Sequence, residues 1–451
     1  MHLPHADRTR WFLAVLLVLA VSAWGIAVEA GERHDVERVA LARKLALKGA
    51  ELRELDAGDA VWLGAAAVRL HADAQTRDAL ADTLANDGLL DLNDVSRADE
   101  VAMTSDGSLV LALPIHQKAH WWELPREHTE MNVLDAGVLD LKGSAVDEMA
   151  MSADGATIVT ADDYEGLTVW DLDDRAHSRK VAFLSRVESF DEIVLSGDGT
   201  TALVAYDDMR EDLDAVTVEV WDLRRRSHPA RRSTLKVPSD FLYGMAISAD
   251  GKTAVAVRGH EGGWLVWDLT DPAHPVELHV NDQGEESVAL SPDGRRAVFG
   301  TGRGADVWDL SDRTKPVRVA TMGGDFHDVF AVAMARKGEL ALTADYHGRA
   351  VLWDLSDPSR PVRLAGLKTG GRAVHAVALS DDGRTAVMGS PWGGPRIWDL
   401  SRVDRDPLRS FCRREDDAIL GEFWERYTDG QGSAYVDGDG DFQPCDGVLA
   451  R

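Results

Sequence analysis

The 451-residue sequence predicts an all-β fold built from one repeated unit, and three observations support this prediction. In residues 288–310, apolar residues alternate on both sides of Asp293-Gly294, which is typical of two strands joined by a hairpin. Equivalent turns recur every 43 to 52 residues, ending at Gly107, Gly155, Gly199, Gly251, Gly294, Gly338 and Gly383. Each turn is followed by a tryptophan at the end of a third predicted strand. Units of about 40–50 residues with this pattern predict a seven-bladed β-propeller, a ring of four-stranded sheets.

The tryptophans form a motif with the residue that follows them. Aspartate follows six of the seven, and glutamate follows the first. The motif residues are Trp122, Trp170, Asp171, Trp221, Asp222, Trp267, Asp268, Trp308, Asp309, Trp353, Asp354, Trp398 and Asp399. In this motif and its spacing, residues 88–411 resemble the WD-repeat β-propeller family. The resemblance implies a rigid ring whose loops recognise a partner.

The resemblance is incomplete in its polar details. In the family, a histidine before the first strand and an aspartate in the loop before the third strand hydrogen-bond with the tryptophan. Asp163, Asp208 and Asp345 stand in that loop here, but no repeat has a histidine at the matching upstream position. We therefore expect irregular blades that are held mainly by apolar packing.

The N-terminal region is predicted to be a tail, residues 1–10, followed by a transmembrane helix, residues 11–28. These 18 residues carry no charge, and as a helix they would span about 27 Å, the lower end of a bilayer core. A cleaved signal peptide is the alternative, because Val28-Glu29-Ala30 resembles a small-residue cleavage site. The prediction is a single-pass protein of the cell membrane with its propeller on the extracytoplasmic side.

Residues 29–87 are predicted to form a helical linker of two or three helices. Apolar residues fall at helical intervals, residues 56–59 interrupt the pattern, and Asp59 is the predicted N-cap. We expect the apolar stripe to pack within this hairpin or on the propeller. The segment resembles the linker between membrane helix and propeller in bacterial STAND-type signalling NTPases with WD repeats.

Residues 412–451 are predicted to be a C-terminal cap or tail. Its two cysteines, Cys412 and Cys445, are the only ones in the chain, and export across a membrane favours a disulfide between them. Such a bond would contribute roughly 3–4 kcal/mol by restricting the unfolded chain. The segment resembles the cap that follows the propeller in the STAND-type proteins. Asp437, Asp439 and Asp441 predict a solvated acidic turn, with a calcium site as the alternative, since the glycine and distal glutamate of an EF-hand loop are missing.

Closure of the ring has two candidate strands. Residues 88–93, GLLDLN, stand before the first repeat at the distance expected of an outer strand. Residues 407–411 compete for the same place. Either segment would remove the free sheet edges that invite aggregation, and the pattern leaves both open.

The search for catalytic chemistry gives a negative prediction. Residues 244–253, GMAISADGKT, end like a phosphate-binding loop, but the glycine spacing is wrong and the segment joins two predicted strands. No nucleophile-elbow motif occurs. His116, His120 and Glu123 lack a further matched zinc ligand. We therefore predict no enzyme activity, no cofactor and no metal.

Charge and loops define the predicted partners. A net charge of -28 argues against nucleic-acid binding, which depends on neutralising phosphates. The third repeat carries a basic run, residues 224–232, interpreted as a solvated loop with anionic lipid or an acidic partner as the alternative. It also carries an acidic insertion, the predicted partner loop, with Asp207, Asp208, Glu211, Asp212 and Asp214.

The function predicted from these features is that of a binding or scaffolding module. We expect a membrane-anchored, monomeric propeller that binds a protein partner in bacterial signalling. The alternative is an extracytoplasmic propeller enzyme, a hydrolase or dehydrogenase, whose site would need acidic and basic side chains converging on the central channel.

Overall fold

The computed structural model describes residues 34–53, 56–92, 95–114, 117–126, 132–139, 146–162, 166–174, 178–186, 190–207, 215–259, 262–324, 326, 328–413, 421–429, 431–436, 442–446 and 448. These residues belong to two compact units. One is Ala85–Arg405, and the other combines the chain up to Leu84 with the chain from Asp406 onward. The predicted transmembrane helix, residues 11–28, lies outside the described residues. No helix in the described part of the chain has the length and apolar character needed to cross a bilayer.

The unit Ala85–Arg405 consists of seven four-stranded antiparallel sheets, which confirms the predicted seven-bladed propeller. Blade 1 contains β2 (Glu100–Met103), β3 (Leu109–Leu113), β4 (His120–Glu123) and β5 (Asp135–Val138). Blade 2 contains β6 (Glu148–Met151), β7 (Thr157–Ala161), β8 (Thr168–Asp171) and β9 (Arg179–Phe183). Blade 3 contains β10 (Phe190–Leu195), β11 (Thr201–Asp207), β12 (Ala215–Asp222) and β13 (Ala230–Pro238). Blade 4 contains β14 (Leu242–Ile247), β15 (Thr253–Arg258), β16 (Trp264–Asp268) and β17 (Val276–Asn281). Blade 5 contains β18 (Ser287–Leu290), β19 (Arg296–Thr301), β20 (Gly304–Asp309) and β21 (Val317–Gly323). Blade 6 contains β22 (Ala331–Ala335), β23 (Leu340–Ala344), β24 (Arg349–Asp354) and β25 (Val362–Lys368).

Blade 7 closes the ring with a strand from the other end of the propeller sequence. It contains β26 (Ala376–Leu379), β27 (Thr385–Ser390), β28 (Gly393–Asp399) and, as its outer strand, β1 (Leu89–Asp91). Leu89 pairs with Trp398 in antiparallel register. Residues 89–91 of the predicted segment 88–93 are therefore the closing strand, whereas the competing segment, residues 407–411, lies in a helix, Pro407–Cys412.

The hairpin turns between first and second strands share one chemistry in six blades, a hydroxyl that donates to the turn aspartate, whereas blade 6 has a 3-10 turn at Arg336–Gly338. In the turn of blade 5, Ser291 Oγ donates to Asp293 Oδ1 at 2.6 Å, and the same carboxylate accepts the Arg295 amide at 3.1 Å. Gly294 adopts φ 67°, a conformation that glycine tolerates best. Backbone hydrogen bonds join neighbouring turns from blade 1 to blade 5 and also across the closure, where the Asp381 amide donates to Ser105 O at 2.7 Å.

The seven motif tryptophans are all buried, at 0–8 % exposure. Several also have a polar partner: the Nε1 atoms of Trp170 and Trp353 donate to Thr160 Oγ1 and Thr343 Oγ1, each at 2.9 Å. Asp345 is fully buried and accepts the amide of Arg349 at 2.7 Å, so it orders its own loop. Asp163 and Asp208, the other predicted loop aspartates, lie outside the described residues.

The helices lie towards the two ends of the chain. They are α1 (residues 34–52), α2 (Ala57–Leu70), α3 (Ala74–Asp87), α4 (Pro407–Cys412) and α5 (Gly421–Thr428), with a 3-10 turn at Gln431–Tyr435. The predicted cap at Asp59 is wrong: Asp56 has extended backbone and caps α2 by accepting the Asp59 amide at 3.0 Å. The carboxylate must precede the first helical turn to reach a free amide, and Asp59 already lies inside that turn.

The second unit, which we call the helical unit, joins the two chain ends in one core. Leu45 and Leu63, on the apolar stripes of α1 and α2, pack in one cluster with Trp424 and Phe442. A second cluster includes Leu80 and Phe411 together with Cys412. Cys412 and Cys445 form a disulfide. The predicted acidic turn at residues 437–441 lies outside the described residues.

Candidate functional site

One face of the propeller contains a cavity that is lined by residues of the first strands. The first strands, β2, β6, β10, β14, β18, β22 and β26, are the innermost strands of the sheets. In blade 1, the start of β2 pairs with the end of β3, and the end of β3 leads into the loop before β4. The segments that enter the first strands and the loops that join second to third strands therefore lie on the same side of the ring. We call this side the channel face.

A cavity of about 400 Å³ opens at this face. Side chains from six blades line it: Glu100, Val101, Glu192, Tyr243, Gly244, Met245, Ser287, Val288, Phe330, Ala331, Val332, Tyr346, His375, Ala376 and Val377. The lining therefore combines carboxylates, aromatic rings and small apolar side chains, the composition expected of a binding pocket rather than of a packed core.

Three glutamates occupy one register position on three adjacent blades. Glu100, Glu148 and Glu192 each stand seven residues before the turn glycine. Glu100 and Glu148 begin their strands, and Glu192 is the third residue of β10. The same position in blades 4 to 7 holds Gly244, Ser287, Ala331 and Ala376. At this position, the channel wall formed by blades 1 to 3 is therefore acidic, and the wall formed by blades 4 to 7 has small, uncharged residues.

The glutamates influence one another electrostatically. Burial raises the pKa of Glu100 to about 8, and nearby Asp99 acts in the same direction. Burial also raises the pKa of Glu148 well above its ordinary value, and both Glu100 and Glu192 add to that rise. The pKa of Glu192 is raised by burial and then by Glu100. Bringing three negative charges together in this enclosure is unfavourable, so protons are retained near neutral pH.

Aromatic side chains form the opposite rim of the channel. Phe330, Tyr346, Trp392 and His375 make a continuous series, with ring-centroid distances of 5.9, 6.3 and 5.6 Å between successive members. Phe330, Tyr346 and Trp392 are 40–53 % exposed. Tyr243, which is 41 % exposed, lines the same cavity from blade 4. We call these five side chains the aromatic rim.

Glu285 is a second unusual carboxyl group, located just before β18. It is 3 % exposed, and its Oε2 atom has no hydrogen-bond partner among the described residues. Burial raises its pKa to about 8, and nearby Asp306 adds to the effect while Arg318 opposes it. The folded protein therefore keeps a proton here that the unfolded chain releases at a lower pH.

Replacing Glu285 with glutamine is expected to reduce the loss of folding stability at alkaline pH. Because the folded-state pKa is raised, stability falls as pH increases from about 4.5 to about 8. Glu285→Gln should raise the free energy of unfolding by on the order of 1–3 kcal/mol at pH 9 and change it little at pH 4. Urea denaturation at both pH values measures this difference. Glu277→Gln, on exposed β17, is the control, and identical pH profiles for wild type and Glu285→Gln would contradict the assignment.

The motif aspartates lie at the opposite end of the third strand from the channel face and have structural partners. Each of the six accepts the amide two residues further on, for example Asp309 from Ser311 at 2.8 Å. Three also accept arginines from beyond their own blade: Asp171 from Arg226, Asp268 from Arg313, and Asp354 from Arg405. The motif therefore joins blades and does not form a ligand site.

The basic run of blade 3 is occupied by internal ion pairs. Arg224 and Arg232 both bind Asp222, and Arg231 binds the buried carboxylate of Glu219. Arg224 and Arg232 hold the pKa of Asp222 well below its usual range. The structure thus gives the run a stabilising role. In the predicted partner loop, only Asp207 is described, at the end of β11 on the channel face; Asp208, Glu211, Asp212 and Asp214 lie outside the described residues.

The channel glutamates were missed by reasoning from the sequence, although a signal for them was present. Asp-Glu stands at the same register in the first three repeats, as DEVAMTSDG, DEMAMSADG and DEIVLSGDG. Alignment of the repeats on the turn glycine would have placed these residues together at the channel. In comparisons with known proteins, no family model matches the chain and no curated protein matches it.

Proposed function

We propose that this protein is a membrane-anchored WD-repeat propeller that binds a protein partner at its channel face. The observation that supports this most is the aromatic rim, in which Tyr243, Phe330, Tyr346 and Trp392 are 40–53 % exposed around one opening. Large aromatic side chains supply much of the binding energy in protein interfaces. Exposed together on a rigid frame, they mark an interaction surface.

The remaining parts of the proposal rest on the chain ends. The uncharged segment 11–28 supports an anchor in the cell membrane. The Cys412–Cys445 disulfide supports an extracytoplasmic location, because such bonds persist in oxidising compartments. In this proposal the protein acts as a monomeric scaffold in bacterial signalling, with no catalytic role, no cofactor and no nucleic-acid partner.

Site-specific photo-crosslinking in the cells that produce the protein tests this function. A benzophenone amino acid at Trp392 is expected to capture a discrete protein partner, because this side chain is 53 % exposed at the channel face. The same probe at Phe183, on the outer strand of blade 2 and 49 % exposed, is the control and should capture little. Equal capture at both positions, or none at Trp392, would contradict the proposal.

A matched affinity measurement follows once that partner is purified. Combining Tyr346→Ala with Trp392→Ala is expected to weaken binding at least about tenfold, since central aromatic contacts dominate interface energy. Phe183→Ala should leave the dissociation constant unchanged, which isothermal titration calorimetry would show.

A further inference from the structure

The carboxylates of Glu100, Glu148 and Glu192 have no partner within the described protein. No hydrogen bond or ion pair to these three groups exists among the described residues. The neighbouring Asp99 differs, since Arg97 binds it through two nitrogen atoms, at 2.7 and 2.5 Å. The Arg97 guanidinium therefore pairs with Asp99, and the glutamates remain available to a ligand.

Their arrangement does not suit a compact cation. Within the described ranges, no three His, Cys, Asp or Glu side chains are placed to hold one metal ion. The three glutamates belong to β6 and to the corresponding positions of β2 and β10, on adjacent blades. The three carboxylates are close enough to influence one another, but they do not converge on one point. They therefore favour a ligand whose positive charges are spread along its length.

The uncharged side of the channel suits an aliphatic chain. Gly244, Ser287, Ala331 and Ala376 leave space opposite the glutamates, and Val288, Val332, Val377 and Met245 supply apolar surface. A cavity of about 400 Å³ falls in the range of small-molecule pockets, about 300–1,000 Å³. The aromatic rim adds ring faces, which attract organic cations within about 6 Å.

From this combination we propose that the axial channel binds an aliphatic di- or polyamine. Its ammonium groups donate hydrogen bonds to Glu100, Glu148 and Glu192, while its methylene groups pack along the valine-lined wall and its outer end meets the aromatic rim. Ammonium N–H groups satisfy carboxylate acceptors, which a quaternary ammonium group without N–H does not. This small-molecule site goes beyond the proposed partner binding and does not require the partner to be present.

Titration calorimetry of the full chain in detergent tests the inference, with spermidine and putrescine as probes and 1,4-butanediol as the neutral analogue. Spermidine should bind at least tenfold more tightly than butanediol. Since the glutamates hold protons in the free protein, binding near pH 7 should release protons, and the measured heat should vary with the ionisation enthalpy of the buffer.

Isosteric variants assign the site. The triple variant Glu100→Gln, Glu148→Gln, Glu192→Gln should weaken spermidine binding at least a hundredfold and abolish proton release, and each single variant should weaken it severalfold. Glu277→Gln, on the outer strand β17, should bind as wild type does. The single variants keep the test decisive if the triple variant does not fold.

Three results would overturn the inference: no heat with millimolar spermidine or putrescine, equal affinity for butanediol, or unchanged affinity in the glutamine variants. Binding of a lysine-rich peptide without binding of free amines would also overturn it, and would leave the proposed partner function intact. Conversely, amine binding without a crosslinked partner would support the site while contradicting the partner proposal.

Discussion

Replacing Trp424 with alanine is expected to destabilise the helical unit by about 3–5 kcal/mol, the largest effect of the substitutions considered. Trp424 is 1 % exposed and stacks on Phe442 with ring centroids 4.2 Å apart and planes 3° from parallel. Its Nε1 atom donates to Gly432 O at 2.9 Å. Alanine removes the packing of an entire buried ring and leaves a carbonyl without its donor, so the cavity and hydrogen-bond terms add.

Circular dichroism during urea unfolding, followed at helical and aromatic wavelengths, measures this loss. Trp424→Phe keeps most of the apolar area but loses the hydrogen bond. It should lower the free energy of unfolding by only about 1 kcal/mol for that bond, in addition to the cost of imperfect packing. Phe423→Ala is the neighbouring control: Phe423 lies at the edge of the same cluster and is half-buried, so its loss should be less than half as large. Equal effects at residues 423 and 424 would contradict the assigned role of Trp424.

Asn86→Ala is expected to destabilise the propeller by about 2–4 kcal/mol, because it removes three hydrogen bonds next to the closure of the ring. Asn86 Oδ1 accepts from Trp398 Nε1 at 3.1 Å and from the Lys368 amide at 2.7 Å, and Asn86 Nδ2 donates to Gly366 O at 2.9 Å. Trp398 is fully buried, so its indole N–H would be left without a partner away from water.

A double-mutant cycle with Trp398→Phe separates this bond from the others. In the phenylalanine background the orphaned donor no longer exists, so Asn86→Ala should cost about 1–2 kcal/mol less than in the wild type. Asn86→Asp provides the matched control, since it keeps the acceptor oxygen and loses the donor to Gly366. Strictly additive losses in the cycle would show that Trp398 and Asn86 do not depend on each other.

The propeller was predictable from the sequence because its determinants are local and periodic. A glycine with φ of 67–86° occupies each hairpin turn, and a buried tryptophan lies near the end of each third strand, so both residues recur in the sequence at a regular spacing. The closing strand was not predictable, since residues 88–93 and 407–411 both fit the distance and only long-range pairing distinguishes them. The cap at Asp56 was missed because two aspartates flank the same short break, and only backbone geometry shows which precedes the first turn.

The candidate site was harder to predict than the fold. Each glutamate at the channel is unremarkable within its own repeat, and the site appears only when Glu100, Glu148 and Glu192 are superposed by the ring symmetry. The aromatic rim has no such signal: Tyr346 and Trp392 come from loops that vary in sequence between blades, and their proximity depends on how adjacent blades pack. The polar partners of the tryptophans were also missed, because Asn86 and Thr343 contact them from different elements of the fold.

The pairing of Leu89 with Trp398 has a consequence for the order in which the chain acquires structure. The core around Leu45 and Trp424 is assembled from segments that lie on either side of the whole propeller sequence, and bringing them together in an unfolded chain carries the entropy loss of closing a very long loop. Once the ring has closed, the Leu89–Trp398 pair shortens that loop to two flanking segments, residues 45–89 and 398–424. The blades should therefore fold first, and the two terminal segments should meet afterwards. Oxidation of the Cys412 and Cys445 thiols to their disulfide, by an external disulfide or other two-electron oxidant, should come late in biogenesis.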